Sequence, residues 1–255
     1  MDHTPQMKRK QSLILLFIIL PLQFLNISAG KHYPLNEPST RLSLTTPGYG
    51  IDLTDIKQIP DLYFECSIAE MIDTLKIPLF YDPLVREYLE IYLLDRINLV
   101  PLIDERADTF FPVFEKFLSE YHLPPELKYI PVIESSLECF ALSPSGALGL
   151  WQFIPETGRA YGLLINEGSD ERVNPEKSTQ AACEYLQNLY HIFGNWQLTL
   201  LAYHAGPSTI KNAVMKAGGK TTYRDIFPNL PLATKRYLPA YIASMYVLNH
   251  YKKHI

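Results

Sequence analysis

The sequence has few cysteines and no excess of either charge, and both features narrow its possible functions. Its 255 residues include three cysteines, and no two of them form a CxxC motif or a His/Cys cluster. Such clusters are typical of metal sites, so we predict neither a metal nor a cofactor. Lysine and arginine number 23 against 27 aspartate and glutamate, for a formal charge of −4. The basic residues are scattered along the chain, which argues against a nucleic-acid partner.

The sequence also lacks a hydrophobic run of the about 20 residues that a membrane-spanning helix needs. Its longest apolar stretch, Ser12 to Leu25, follows the basic residues 8–10 and precedes the small residue Ala29. This order predicts a cleaved export signal over residues 1–29, and a short anchor that associates with the membrane is the alternative. We therefore expect an exported protein in the periplasm or cell envelope. Such a compartment is oxidising, so two of the cysteines at 66, 139 and 183 could pair, but their spacing does not choose the pair.

Regular strand alternation and internal repeats are missing as well, and helical periodicity dominates the second half of the chain. Residues 30–80 are predicted to be a partly ordered leader, rich in Pro, Thr, Ser and Gly up to about residue 60. The pattern at 62–79 is mixed and receives no assignment. Residues 81–255 are predicted to form one all-α domain. Its predicted helices begin at Asp82-Pro83, near Thr109, at Pro124-Pro125, Pro155, Asn174-Pro175, Asn195 and Gly206-Pro207, and a last helix contains Pro239.

One carboxylate stands out because it lies on an apolar helical stripe. Leu127, Ile130, Glu134 and Leu137 share one face at helical spacing. Burial disfavours the charged form of an acid and raises its pKa, and such a group can serve as a general acid near neutral pH. The position alone favours a plainer interpretation, in which Glu134 lies at the edge of the stripe or pairs with a buried partner.

Four short segments around this acid occur in a characteristic order. They are Glu134-Ser135-Ser136, the run from Ser143 to Phe153 (SPSGALGLWQF), Ala202-Tyr203-His204-Ala205-Gly206 and the weaker Thr234-Lys235-Arg236-Tyr237. Each motif alone would be weak, but the ordered set over residues 81–255 resembles the lytic transglycosylases with a goose-type-lysozyme-like fold. The run from Arg106 to Ser135 looks most like the membrane-bound lytic murein transglycosylase D branch. With this resemblance, a functional role for Glu134 becomes the favoured interpretation.

The resemblance implies an enzyme that cleaves the β-1,4 bond between N-acetylmuramic acid and N-acetylglucosamine in peptidoglycan glycan strands. The C6 hydroxyl of the sugar would replace water and leave a 1,6-anhydro end, with Glu134 acting as acid and then as base. The resemblance also implies substrate-binding roles for further residues, with a turn, loop or core role as the alternative for most of them. These residues are Ser143, Gln152, Tyr203, His204 and Tyr237. Tyr203 would also hold the catalytic carboxyl.

The sequence departs from the family pattern at three places. His204 stands where the family usually has Asn, Glu138-Cys139 where it has Asn-Pro, and Ala233 where it has Glu. Two other functions therefore stay open: a muramidase or chitinase that uses water with a second carboxylate, and a peptidoglycan-binding module that has lost its activity. The presence of Glu134 argues against the inactive binding module.

Overall fold

The computed structural model describes residues 59–251 together with a short hairpin at 45–46 and 49–50. The predicted export signal at 1–29 lies outside the described residues. The hairpin pairs β1 (Thr45–Thr46) with β2 (Tyr49–Gly50), and a second one pairs β3 (Ile165–Asn166) with β4 (Ser169–Asp170). The helices are α1 (Asp61–Ile72), α2 (Pro83–Glu90), α3 (Leu99–Glu120), α4 (Ile130–Ser135), α5 (Pro155–Ala160), α6 (Pro175–Phe193), α7 (Trp196–Ala205), α8 (Pro207–Lys216), α9 (Tyr223–Ile226) and α10 (Leu232–Tyr251). The domain predicted to be all-α is thus mostly helical in the described part of the chain, and the short β3–β4 hairpin is the exception within it.

Three helices begin at the caps that the sequence indicates. Asp82, Asn174 and Asn195 each accept a backbone N–H of the first turn through a side-chain oxygen, at the starts of α2, α6 and α7. At its other end α6 stops at Gly194, whose φ of +60° is left-handed. These three helix starts therefore lie where the local sequence predicts them.

Helix α3 begins ten residues earlier than the predicted start near Thr109. Val100, Ile103 and Ala107 are buried at helical spacing, so the apolar stripe starts in the first turn at Leu99. A start near Thr109 would place Pro112 in the first turn, whereas Pro112 lies inside the observed helix. The prediction gave too much weight to proline as a marker of helix starts.

The compact domain begins before residue 81, which corrects the predicted boundary of the leader. Helix α1 buries Phe64 and Ile68 completely, and Ile77 after it is equally buried. A hydrogen bond also anchors this segment to the domain: the Lys76 N–H donates to Glu126 Oε1 at 2.7 Å. The mixed pattern at 62–79 hid a helix because its polar residues interrupt the stripe, and only the surrounding core shows which face is buried.

Helix α10 lies at the centre of the domain and packs against α2, α3, α4 and α7. Residues 237–248 are buried without interruption, as expected of a helix with neighbours on every side. Helix α6 packs against α3 and α7 and completes the core. The active-site candidates on α4, α7 and α10 are therefore held by the most buried part of the molecule.

The structure also describes the three cysteines, whereas the signal or short anchor predicted at 1–29 lies outside the described residues. Cys183 is buried, as expected for a small apolar side chain, and Cys139 is half-buried while Cys66 is exposed. No disulfide joins these three thiols. Among residues 59–251, no helix combines the length and the apolar character that a membrane crossing requires.

Candidate active site

Helix α4 presents Glu134 from a short, tightly anchored segment. A 3-10 turn at 125–129 leads into α4, so Pro131 falls in its first turn, where a missing N–H breaks no helical bond, and no bend arises inside a longer helix. The helix ends at Ser135, and Ser136 and Leu137 adopt left-handed φ angles of +51° and +58°. Leu137 is buried, but it does not extend the helical face that the sequence predicted.

The left-handed turn after Glu134 is held by a neighbouring helix. The guanidinium of Arg106 on α3 donates to the Ser136 carbonyl oxygen at 3.0 Å and also pairs with the Glu138 carboxylate. Backbone in this φ region is strained for residues other than glycine, so the contact stabilises a conformation that would otherwise be sparsely populated. The same guanidinium thereby forms an ion pair with Glu138.

Glu134 meets Tyr237 across the interface of α4 and α10. The Tyr237 hydroxyl donates to Glu134 Oε1 at 2.9 Å, and the Tyr237 side chain is itself buried. Burial raises the pKa of Glu134 to about 7, and the hydrogen bond from Tyr237 offsets part of that rise. A carboxyl with this pKa exists in both protonation states near neutral pH, which is what a group acting first as acid and then as base requires.

The run from Ser143 to Phe153, here called the pocket loop, forms a compact turn beside Glu134. Ser143 is buried in it, and its Oγ accepts the Ala147 N–H at 2.8 Å. The Gln152 side-chain amide donates to the carbonyl oxygens of Ala141 and Gly149 at 2.8 and 2.9 Å. Ser143 therefore has the turn role that the sequence left as its alternative, and its predicted contact with sugar stays a prediction. Gln152 both braces the loop and lines the pocket.

An ion pair between the buried Arg172 and the half-buried Asp170 anchors the pocket loop to the segment before α6. Arg172 Nη1 donates to the carbonyl oxygens of Gly146 and Phe153 at 2.7 and 2.9 Å, while Nη2 and Nε bind the Asp170 carboxylate. The Arg172 guanidinium lowers the pKa of Asp170, which keeps the pair charged. Gly149 has φ +86°, and a Cβ there would lie 2.1 Å from the Arg172 carbonyl oxygen. This glycine thus allows a close approach between two backbone segments.

Tyr203 and His204 reach the site from the end of α7. The Tyr203 hydroxyl donates to the Trp151 carbonyl oxygen at 2.7 Å, so Tyr237 and not Tyr203 holds the Glu134 carboxyl. The His204 ring stacks on Tyr237 with centroids 4.5 Å apart and planes 23° apart. Burial lowers the pKa of His204 to about 4, so its imidazole is neutral at pH 7, contrary to the titration near neutrality expected of histidine.

These side chains surround one open cleft. Of the six predicted site residues, Glu134, Gln152, Tyr203 and His204 line it, whereas Ser143 and Tyr237 lie behind its surface. Glu134 is the only carboxylate among the described residues that line this cleft. Sequence reasoning missed Ser145, Thr157 on α5 and Tyr185 on α6, which also face the cleft. Ser145 belongs to a quoted motif and could have been found there, whereas Thr157 and Tyr185 carry no sequence signal of a site.

Comparison with known proteins shows which family this domain matches. Residues 112–226 match the family model of the transglycosylase SLT domain, a range that includes Glu134, the pocket loop and α7. The chain therefore contains a transglycosylase SLT domain, and its resemblance to the lytic transglycosylases is confirmed.

Individual relatives agree with this class. The chain is 34% identical over 185 residues to the membrane-bound lytic murein transglycosylase D of Escherichia coli K12, covering 71% of this chain and 40% of the relative. It is 26% identical over 117 residues to the soluble lytic murein transglycosylase of Salmonella typhimurium, covering 44% and 18%. The chain thus spans less than half the length of these curated relatives.

A solved structure supports the fold. The 70-kDa soluble lytic transglycosylase in complex with bulgecin A superimposes with a TM-score of 0.51 at 20% identity, over 67% of this chain and 29% of that one. At this identity the match concerns the fold of the helical domain.

Proposed function

We propose that this chain is a peptidoglycan lytic transglycosylase that acts in the cell envelope after export. It cleaves the bond between N-acetylmuramic acid and N-acetylglucosamine and leaves 1,6-anhydro ends on the muramoyl sugar. The observation that carries the proposal is a cleft in which Glu134 is the single carboxylate among the described lining residues, and its pKa of about 7 suits both proton donation and proton acceptance. The relatives' names point to the same polymer, murein.

In the first step the protonated Glu134 donates its proton to the glycosidic oxygen, and the bond to the leaving sugar breaks. The Tyr237 hydroxyl, 2.9 Å from Oε1, then stabilises the carboxylate that forms. In the second step this carboxylate accepts the proton of the C6 hydroxyl, and the C6 oxygen forms a bond to the anomeric carbon of the same sugar. The proton count balances, and Glu134 returns to its starting state without water.

The main alternative is hydrolysis by two carboxylates. An inverting glycosidase needs a second acid roughly 6.5–9.5 Å from the first to activate water, and a retaining one needs it roughly 5–5.5 Å away. No second carboxylate lines the cleft in the part of the chain that the structure describes, and Glu138 is paired with Arg106. This arrangement favours the intramolecular attack over hydrolysis.

The test is digestion of purified murein sacculi by residues 31–255, with mass spectrometry of the released muropeptides. We expect anhydro ends, lighter than reducing ends by one water, and their loss by at least about 100-fold in Glu134→Gln because the proton donor is gone. Glu138→Gln is the matched control and should retain most activity. Reducing ends would assign the protein to the hydrolases, and binding to sacculi without release by folded protein would indicate a binding module.

A further inference from the structure

One polar group of the site has no role in the steps above. His204 Nε2 is buried and has no hydrogen-bond partner among the described residues. An unpaired buried nitrogen is unfavourable, and burying a charged imidazolium there would be more so. The buried nitrogen of His204 therefore lowers the stability of the fold. The specific contact of this side chain is made by the face of its neutral ring.

That contact leads to the catalytic acid in two steps. The flat face of His204, on α7, lies on the ring of Tyr237, on α10. The Tyr237 hydroxyl in turn donates to Glu134, on α4. Tyr237 has no other hydrogen bond from its hydroxyl among the described contacts, so the orientation of its ring depends on what packs against its faces.

We propose that His204 is a positioning residue: its ring holds the ring of Tyr237 so that the Tyr237 hydroxyl stays on the Glu134 carboxyl. The inference rests on the proposed function for its kinetic consequence, but the arrangement itself can be measured without turnover. It also explains how this chain uses the residue that differs from the Asn usual in the family pattern: a planar ring supplies a stacking face, and a side-chain amide supplies a much smaller one.

The neutral state of His204 belongs to this role. The titratable side chains around it are Glu134 on α4, Tyr203 on α7 and Tyr237 on α10, and Tyr185 of α6 lines the same cleft and packs against Tyr203. A charged imidazolium at this place would favour the Glu134 carboxylate and reduce the proton-donating form. A neutral ring positions Tyr237 without that electrostatic effect.

The experiment measures the pKa of Glu134 directly, by NMR of protein carrying ¹³C-labelled glutamate side-chain carboxyls. In Tyr237→Phe the hydroxyl is gone, and the Glu134 pKa should rise because the carboxylate loses a donor. His204→Ala should raise it in the same direction, by about one pH unit or less, while His204→Phe, which keeps a planar ring, should stay near the wild-type value. The double variant His204→Ala/Tyr237→Phe should match Tyr237→Phe alone, since both changes remove the same hydrogen bond.

Kinetics on soluble glycan fragments give the second measurement. His204→Ala should lower kcat by about tenfold and leave KM within about twofold, because positioning the acid affects the transition state more than binding. If His204→Ala does not fold, His204→Leu replaces it in both measurements. A Glu134 pKa unchanged in the ring-less variant, or changes that add in the double variant, would overturn the proposal. Since the NMR titration needs only folded protein, an inactive wild type would count against the proposed function and not against this arrangement.

Discussion

At the scale of single residues, the Glu134–Tyr237 pair makes stability depend on pH. Unfolded, the Glu134 carboxyl titrates near 4.5, whereas burial raises its pKa to about 7 in the folded protein. Its contribution to stability is therefore complete below pH 4.5 and is lost as the pH rises through 7, because the unfolded chain releases the proton first. Replacing Glu134 by the neutral isostere Gln removes that loss.

We predict that Glu134→Gln is more stable than the wild type at pH 8, by up to about 3 kcal/mol, and equally stable at pH 4. Urea unfolding at the two pH values measures the difference. Glu167→Gln is the control, because Glu167 lies exposed in the β3–β4 turn, and it should show no comparable change between the two pH values. A stabilisation of Glu134→Gln that is the same at pH 4 and pH 8 would contradict the assigned proton affinity.

At the scale of an element, the pocket loop depends on a guanidinium that is not part of it. Arg172 reaches two loop carbonyls and Asp170 at once, which the planar fork of arginine allows and the single ammonium of lysine does not. We predict that Arg172→Lys lowers the free energy of unfolding by about 1–3 kcal/mol and speeds amide exchange between Gly146 and Phe153. Hydrogen-exchange mass spectrometry resolves that segment.

The matched control for this prediction is Arg224→Lys, since Arg224 lies exposed on the short helix α9. In the Arg224→Lys variant, the amides of the pocket loop should exchange as in the wild type. Exchange that rises equally throughout the Arg172→Lys molecule would mean that the ion pair stabilises the whole domain and has no specific effect on the loop.

At the scale of the whole molecule, the core extends to α1. Phe64, Ile68 and Ile77 are fully buried, and each such side chain contributes about 1.5–3 kcal/mol. Their sum is comparable to the about 5–15 kcal/mol that stabilises a typical domain. We predict that a fragment of residues 81–255 is largely unfolded at 37 °C, whereas one of residues 59–255 unfolds cooperatively, as followed by circular dichroism. Equal melting temperatures for the two fragments would show that α1 is dispensable.

Several features of the site could be predicted from the sequence because they depend on local chemistry. Capping side chains and prolines placed the starts of α2, α6 and α7, and Glu134 stood out as an acid on an apolar stripe. Features that depend on distant partners could not be predicted. Nothing near Tyr203 in the chain indicates that its hydroxyl donates to the carbonyl oxygen of Trp151, 52 positions away.

The sequence by itself therefore determined the helical class and the caps, since both follow from residues a few positions apart. It also indicated Glu134 as the candidate acid, through four short motifs that occur in order along the chain. Only the tertiary structure decided which tyrosine meets that acid, because Tyr237 lies 103 positions from Glu134. It also decided the charge of His204, since burial sets the pKa of an imidazole and no local pattern reveals that burial. The tertiary structure also showed that α1 belongs to the compact domain. Polar residues interrupt the apolar stripe of α1, so its buried face is defined only by the core that packs against it.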